Sequence, residues 1–177
     1  GHLRQLLSWL SREGLTDEAE AAAGSSRGIP GDTWGRRELA IALARLGRLD
    51  EALGEGETAL GFDPGDAWTN CLRGDLLAAA DRIADAKHAY REAIRRSVDL
   101  DRAVKGLLDA SAGFEEKRES LALVRAELKR QTIVGDALQT YRACASELVE
   151  PPEVLALLRE AFAARPDLPQ AYSALVG

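Results

Sequence analysis

The 177 residues carry 23 Lys and Arg against 29 Asp and Glu, a formal net charge of −6, with an isoelectric point near 5.1. Hydrophobic residues make up 46% and charged residues 29%, which excludes a wholly disordered chain. The acidic balance argues against a nucleic-acid partner, because phosphates are met by a basic face.

Apolar runs such as Leu76 to Ala80 are far short of the ~18–20 residues that span a bilayer. No basic segment followed by an apolar stretch marks a leader peptide. There is no Met, and Gly1-His2 reads as a cloning scar, so the expectation is a domain cut from a longer protein, with a cytoplasmic location. Lys stands only at 87, 105, 117 and 129 while Arg, Ala, Leu and Gly abound, the bias of a GC-rich bacterial genome.

In chain order, Leu3, Leu6, Leu7 and Leu10 share one helical face, and Gly14 stops that helix. Thr16 or Asp17 can cap a second helix that ends at Gly24. Ile29-Pro30-Gly31-Asp32 then turns the chain, as Asp63-Pro64-Gly65-Asp66 does later. Proline cannot continue the preceding helix, glycine permits the turn, and aspartate caps the next helix. Leu39, Leu43, Leu46, Leu49 and Leu53 are expected to fill the core between these two turns. Gly47 makes the hinge, and Ala40 and Ala52 allow close approach. Leu72, Leu76, Leu77, Ile83, Tyr90 and Ile94 do the same in the next stretch, with Gly74 and Ala86 at the close contacts.

Beyond Leu100 the expected elements are a helix over 101–113, a turn over 114–118 and a helix over 119–130. A further helix over 135–148 follows, then a long helix opened by Pro151-Pro152, and a short one over 169–175.

Residues 33–66 and 67–100 are each 34 residues long, and the second piece restates the first. Trp34 recurs as Trp68, Leu43 as Leu77, Ala52 as Ala86, Ala59 as Ala93 and Leu60 as Ile94. A period of about 34 with two helical patterns per unit resembles the tetratricopeptide repeat. The resemblance implies an all-α fold: a right-handed α-solenoid of about five helix pairs in a single domain spanning 1–177. The repeats fall at about 3–32, 33–66, 67–100, 101–134 and 135–168, with a cap over 169–177. The pattern departs from the family where a large apolar residue early in the first helix is replaced by Arg36 and Asn70. Ser120 stands where the earlier repeats have alanine.

The residues offer no catalytic constellation, so the chain is read as a non-enzyme without cofactor or metal. His2 belongs to the scar, and His88 sits among polar neighbours. Cys71 and Cys144 are too far apart in sequence for a zinc site and are expected as free thiols. The resemblance implies a protein–protein interaction module, in which first helices line a concave groove for an extended peptide or a partner helix. The groove residues it implies are Trp34, Arg37, Ile41 and Arg45, then Trp68, Cys71, Asp75 and Ala79, then Arg102, Lys105 and Asp109. The basic members could receive an acidic group. The family's clamp on chaperone C-termini needs donors where this chain has Ile41, Leu72 and Gly106, so that use is not expected. The alternative is a structural role: self-association, or a spacer within a larger and possibly enzymatic bacterial protein.

Overall fold

A computed structural model of the chain describes residues 17–18, 21, 32–132 and 135–176. The helix pair expected over residues 3–32 lies outside the described residues, apart from 17, 18 and 21, which are helical. The described residues form nine helices and no strand. They are α1 (Thr33–Arg45), α2 (Leu49–Phe62), α3 (Ala67–Ala79), α4 (Ile83–Arg96), α5 (Asp101–Ala110), α6 (Gly113–Arg130), α7 (Gly135–Ala145), α8 (Pro151–Ala164) and α9 (Pro169–Val176). The odd-numbered helices begin at residues 33, 67, 101, 135 and 169, and α2, α4, α6 and α8 end at 62, 96, 130 and 164. Both series advance by one 34-residue period.

Local chemistry sets these boundaries. The Asp32 carboxylate accepts from the Gly35 amide at 2.8 Å, and Asp66 accepts from the Thr69 amide at 3.0 Å, so each aspartate caps the helix that follows it. The α1–α2 hinge is a left-handed cap: Gly47 has φ +76°, Arg48 N–H donates to Leu43 C=O at 3.0 Å, and Gly47 N–H donates to Ala44 C=O at 3.0 Å. One period later, Asp81 takes the same backbone shape at φ 59°, with Arg82 N–H donating to Leu77 C=O at 2.8 Å. Aspartate is one of the few side chains that tolerates it.

The chain divides into two compact units, residues 1–89 and 90–177. In the first, α1 packs on both α2 and α3, and α2 on α3. Leu39, Ala40 and Leu43 of α1, Ala52 of α2, and Leu72 and Leu76 of α3 form one buried cluster. Ala52 and Ala40 are both fully buried, which is why their positions admit only small side chains. Arg36 and Asn70, the polar departures from the repeat pattern, are each satisfied. Arg36 pairs with Glu55 of α2 at 2.6 Å, and the Asn70 amide donates to Asp66 C=O at 3.0 Å. Leu46 and Ile83, expected in the core, are 45% and 37% exposed. Each lies at a helix end beside a hinge.

In the second unit, α5 packs on α6 and α7, α7 packs on α6, α8 and α9, and α8 packs on α9. Val104, Leu107, Leu121, Val124, Leu128, Leu138, Tyr141 and Leu157 fill its interior. The linkers are stitched reciprocally. The Gln131 amide donates to Ile94 C=O at 2.9 Å and its carbonyl accepts from Val98 N–H at 2.8 Å, while Asp99 accepts from Ala137 N–H at 2.8 Å near the start of α7.

The third pair breaks the pattern. The turn expected over 114–118 is helical, because α5 stops at Ala110 and α6 begins at Gly113, whose φ is +71°. Ser111 leaves the helix and donates to Leu107 C=O at 2.7 Å, Ser111 and Ser120 hydroxyls meet at 2.9 Å, and Glu116 accepts from Ala112 N–H at 2.6 Å. Ser120 thus stands at the alanine register because a second buried hydroxyl faces it. The expected helix over 135–148 ends earlier, at Ala145.

Candidate functional site

The sequence-predicted residues fall on the first helix of successive pairs, and the structure treats them unequally. In the first unit, Trp68 opens α3 and is 56% exposed. Trp34, its counterpart on α1, is half-buried and packs against the Leu39–Leu43–Leu72 cluster. The two indoles are therefore not equivalent members of one exposed surface. Ile41 is likewise half-buried against that cluster.

Cys71 corrects the expectation more sharply. It lies between Trp68 and Asp75 on the same stripe of α3, yet it is 1% exposed. Its small side chain sits on a helix whose residues 69–72, 74, 76 and 77 are all buried, so it belongs to the packing rather than to an accessible face. Asp75 is half-buried, and Ala79 and Arg45 are exposed.

Arg37 is engaged internally. Its guanidinium meets the Asp66 carboxylate at 2.9 Å, and both side chains are less than one-fifth exposed. The same Asp66 oxygen accepts from the Thr69 amide and hydroxyl, so one carboxylate ties the α3 N-terminus to α1. That arrangement occupies the charge expected to receive a partner's acidic group.

In the second unit, Arg102, Lys105 and Asp109 lie exposed on α5. Lys105 pairs with Asp101 one turn back at 2.8 Å. The hydrogen bond from Lys105 holds Asp101 below the usual carboxylate range, and Asp101 in turn raises the ammonium. Cys144 of α7 is half-buried; burial raises its thiol pKa, with Lys105 pulling the other way. Cys71 and Cys144 are not joined in a disulfide. His88 is exposed on α4, and no group of three His, Cys, Asp or Glu among the described residues is arranged to hold a metal ion.

The structure also shows two clefts that sequence reasoning missed. One, of about 440 Å³, is lined by Gln139, Arg142, Ala143 and Ser146 of α7 and its end, with Ser173 of α9. Gln139 stands one period after Lys105, two after Cys71 and three after Arg37, so the repeat register could have pointed to it. Arg142 carries no such signal. The other cleft, of about 310 Å³, lies between Phe114 and Arg118 of α6 and the 146–151 segment. It follows from the early start of α6, which carries Phe114 out to 53% exposure.

No protein-family model matches the chain, and no curated protein matches it in sequence. Solved structures do match in shape. YrrB, a TPR protein described as having an unusual peptide-binding site, superposes with a TM-score of 0.57 at 15% identity, over 97% of this chain and 89% of its own. Residues 41 to the end of MamA from Desulfovibrio magneticus RS-1 give 0.55 at 15% identity, over 94% of this chain and 97% of that one. A tetratricopeptide-repeat protein from Parabacteroides merdae gives 0.54 at 13% identity, over 99% and 72%. No helix among the described residues is long and apolar enough to cross a membrane. The fold of this chain is that of the tetratricopeptide-repeat α-solenoids.

Proposed function

We propose that the chain is a protein-interaction module that holds an extended peptide or a partner helix against the first helices of its pairs, and that it works by binding rather than catalysis. The observation that carries this reading is Trp68. A tryptophan more than half exposed at the head of a first helix is a large apolar surface kept in water. Aromatic anchors of this kind dominate the energy of protein interfaces. Asp75 and Ala79 continue its stripe about two and three turns further along α3. Lys105, Arg102 and Asp109 offer polar contacts on α5 of the second unit. The likeness to YrrB, a TPR protein with an unusual peptide-binding site, supports the same reading.

The test is binding of a randomised, fluorescently tagged peptide library to the wild-type chain and to Trp68→Ala, with both checked for equal thermal stability. Loss of selected binders in Trp68→Ala at unchanged stability supports the proposal. Retained binding, or a wild type that selects no peptide, removes it. Light scattering gives the competing outcome: a concentration-dependent dimer abolished by Trp68→Ala would assign the indole to self-association.

A further inference from the structure

We propose that α8 and α9 together form a docking slot for a single amphipathic helix of a partner protein, one that carries an apolar stripe and an acidic residue placed to meet Arg159. The slot lies within the second unit and does not involve Trp68.

Equivalent positions one period apart differ sharply in burial here. In α6 and α7, Leu121, Leu128, Leu138 and Tyr141 are each no more than 1% exposed. The residues 34 positions later are Leu155, Phe162, Tyr172 and Leu175, so the register keeps its apolar character. Tyr172, however, is 58% exposed and Leu155 37%, while Phe162 and Leu175 are half-buried. Leu155, Arg159 and Phe162 are spaced i, i+4, i+7 along α8, and Tyr172 and Leu175 are spaced i, i+3 along α9, so each helix offers one stripe. The Phe162 and Tyr172 rings join the two stripes, with centroids 6.4 Å apart. A helix pair that closed a solenoid would turn a polar face to water. An apolar face left in water instead marks an interaction surface.

The register also sets the width of the slot. α9 starts one period after α7 and takes the place of a first helix, so the space left over this face is that of one second helix. A helix laid in such a groove is held through anchors at i, i+3, i+4 and i+7.

Charge selects the occupant. The corresponding face of α6 meets α8, whose Glu153 pairs with Arg125 at 3.4 Å and whose Glu160 pairs with Lys129 at 2.6 Å. One period on, the exposed Arg159 stands at the register of Arg125, and Ala163 replaces Lys129. A helix seated on α8 as α8 sits on α6 therefore needs an acid at the register of Glu153 and none at that of Glu160. A second copy of the chain on a twofold axis does not supply it, because such pairing sets Arg159 against Arg159. Glu153 and Glu160 are already engaged with α6, Asp167 pairs with Arg165 at 2.8 Å, and α9 carries no charged residue.

The experiment uses a library of helix-stabilised 16-residue peptides patterned on residues 150–165. The Glu153 position is set to Glu, Gln or Lys, the Glu160 position to Gln, and the apolar positions are varied. Binding is measured to the whole chain and to its Arg159→Gln, Arg159→Glu, Tyr172→Ser and Trp68→Ala variants, with thermal melts to confirm that each is folded. The wild type should select binders and favour Glu over Lys by about two- to fivefold. Arg159→Gln should abolish that preference and Arg159→Glu should reverse it, which a merely structural arginine would not do. Tyr172→Ser should weaken all binders by about tenfold or more, and Trp68→Ala should bind them as the wild type does. Selection of no helix, or a preference for Glu that survives in Arg159→Glu, overturns the inference. A concentration-dependent dimer in light scattering that Tyr172→Ser abolishes also overturns it, by assigning the face to a second copy. Binding lost in Trp68→Ala but kept in Tyr172→Ser overturns it too, by moving the helix to the first unit.

Discussion

Gly106→Ala is the substitution that most directly tests the packing of the repeats. Gly106 lies within α5 beneath the ring of Tyr90, and a Cβ added there would stand 2.5 Å from Cζ, 2.6 Å from Cε1 and 3.0 Å from the hydroxyl. Carbon atoms in favourable contact sit about 3.5–4.0 Å apart, so the ring must retreat by about 1 Å. It has little room to do so, because Tyr90 is only 3% exposed. Overpacking of this kind costs about 1–3 kcal/mol. Removing a glycine from a helix interior returns about 0.5–1 kcal/mol, so the net loss should be about 1–2 kcal/mol. For a chain of this size that lowers the melting temperature by roughly 2–8 °C. Gly54→Ala is the matched control: Gly54 is exposed within α2 and an added Cβ meets nothing within 4 Å, so it should gain about 0.5–1 kcal/mol. Circular dichroism melts and urea titrations on both variants give the comparison. If Gly106→Ala stabilises the chain as Gly54→Ala does, the Tyr90–Gly106 contact is misplaced. The register explains why it exists: Leu72 and Gly56 occupy the equivalent positions one period earlier, so large and small residues have changed places.

The remaining predictions concern other parts of the same packing. Ala52→Leu and Ala86→Leu, both at fully buried positions, should each cost about 1–3 kcal/mol in urea unfolding. Gln131→Ala should cost about 1–3 kcal/mol, because it strips the partners of Val98 N–H and Ile94 C=O between linkers. Under native conditions a thiol reagent should modify Cys144 slowly, since burial raises its pKa, and should spare Cys71; denaturation should release two thiols. For pH, burial pushes the Glu127 carboxyl up, but hydrogen bonds from Arg130 and Gln131 outweigh it and leave its pKa lowered on folding. Its contribution to stability is therefore present above the unfolded value near 4.5 and is lost as pH falls through the lower folded value. Glu127→Gln should flatten that part of the acid-unfolding curve.

The periodicity was legible because its punctuation is chemical. Aspartates at 32 and 66 cap the helices that follow, Gly47 makes the hinge, and small residues at 40, 52 and 86 mark where backbones approach. What failed to read directly depended on conditions met only in three dimensions. The α5–α6 hinge falls several residues earlier than the pattern suggests, because Ser111-Ala112-Gly113 has no proline or capping aspartate and its one turn signal, Gly113, reads equally as the end of the preceding helix. The Ser111–Ser120 hydroxyl pair that accompanies it joins residues nine apart. Leu46 and Ile83 have the side chains of a core but stand at helix ends beside hinges.

The site was harder to read than the fold for a related reason. A first helix packed on two neighbours retains only a narrow accessible arc, and spacing alone does not say which residues of a stripe keep it. On α3 that arc retains Trp68 and Ala79 but loses Cys71, which sits between them. The polar side chains follow the same logic. Arg37 has the position and charge of a ligand, yet Asp66 takes it up to secure the start of α3. Which side chains the packing leaves accessible is therefore a property of the assembled helices that no single repeat contains.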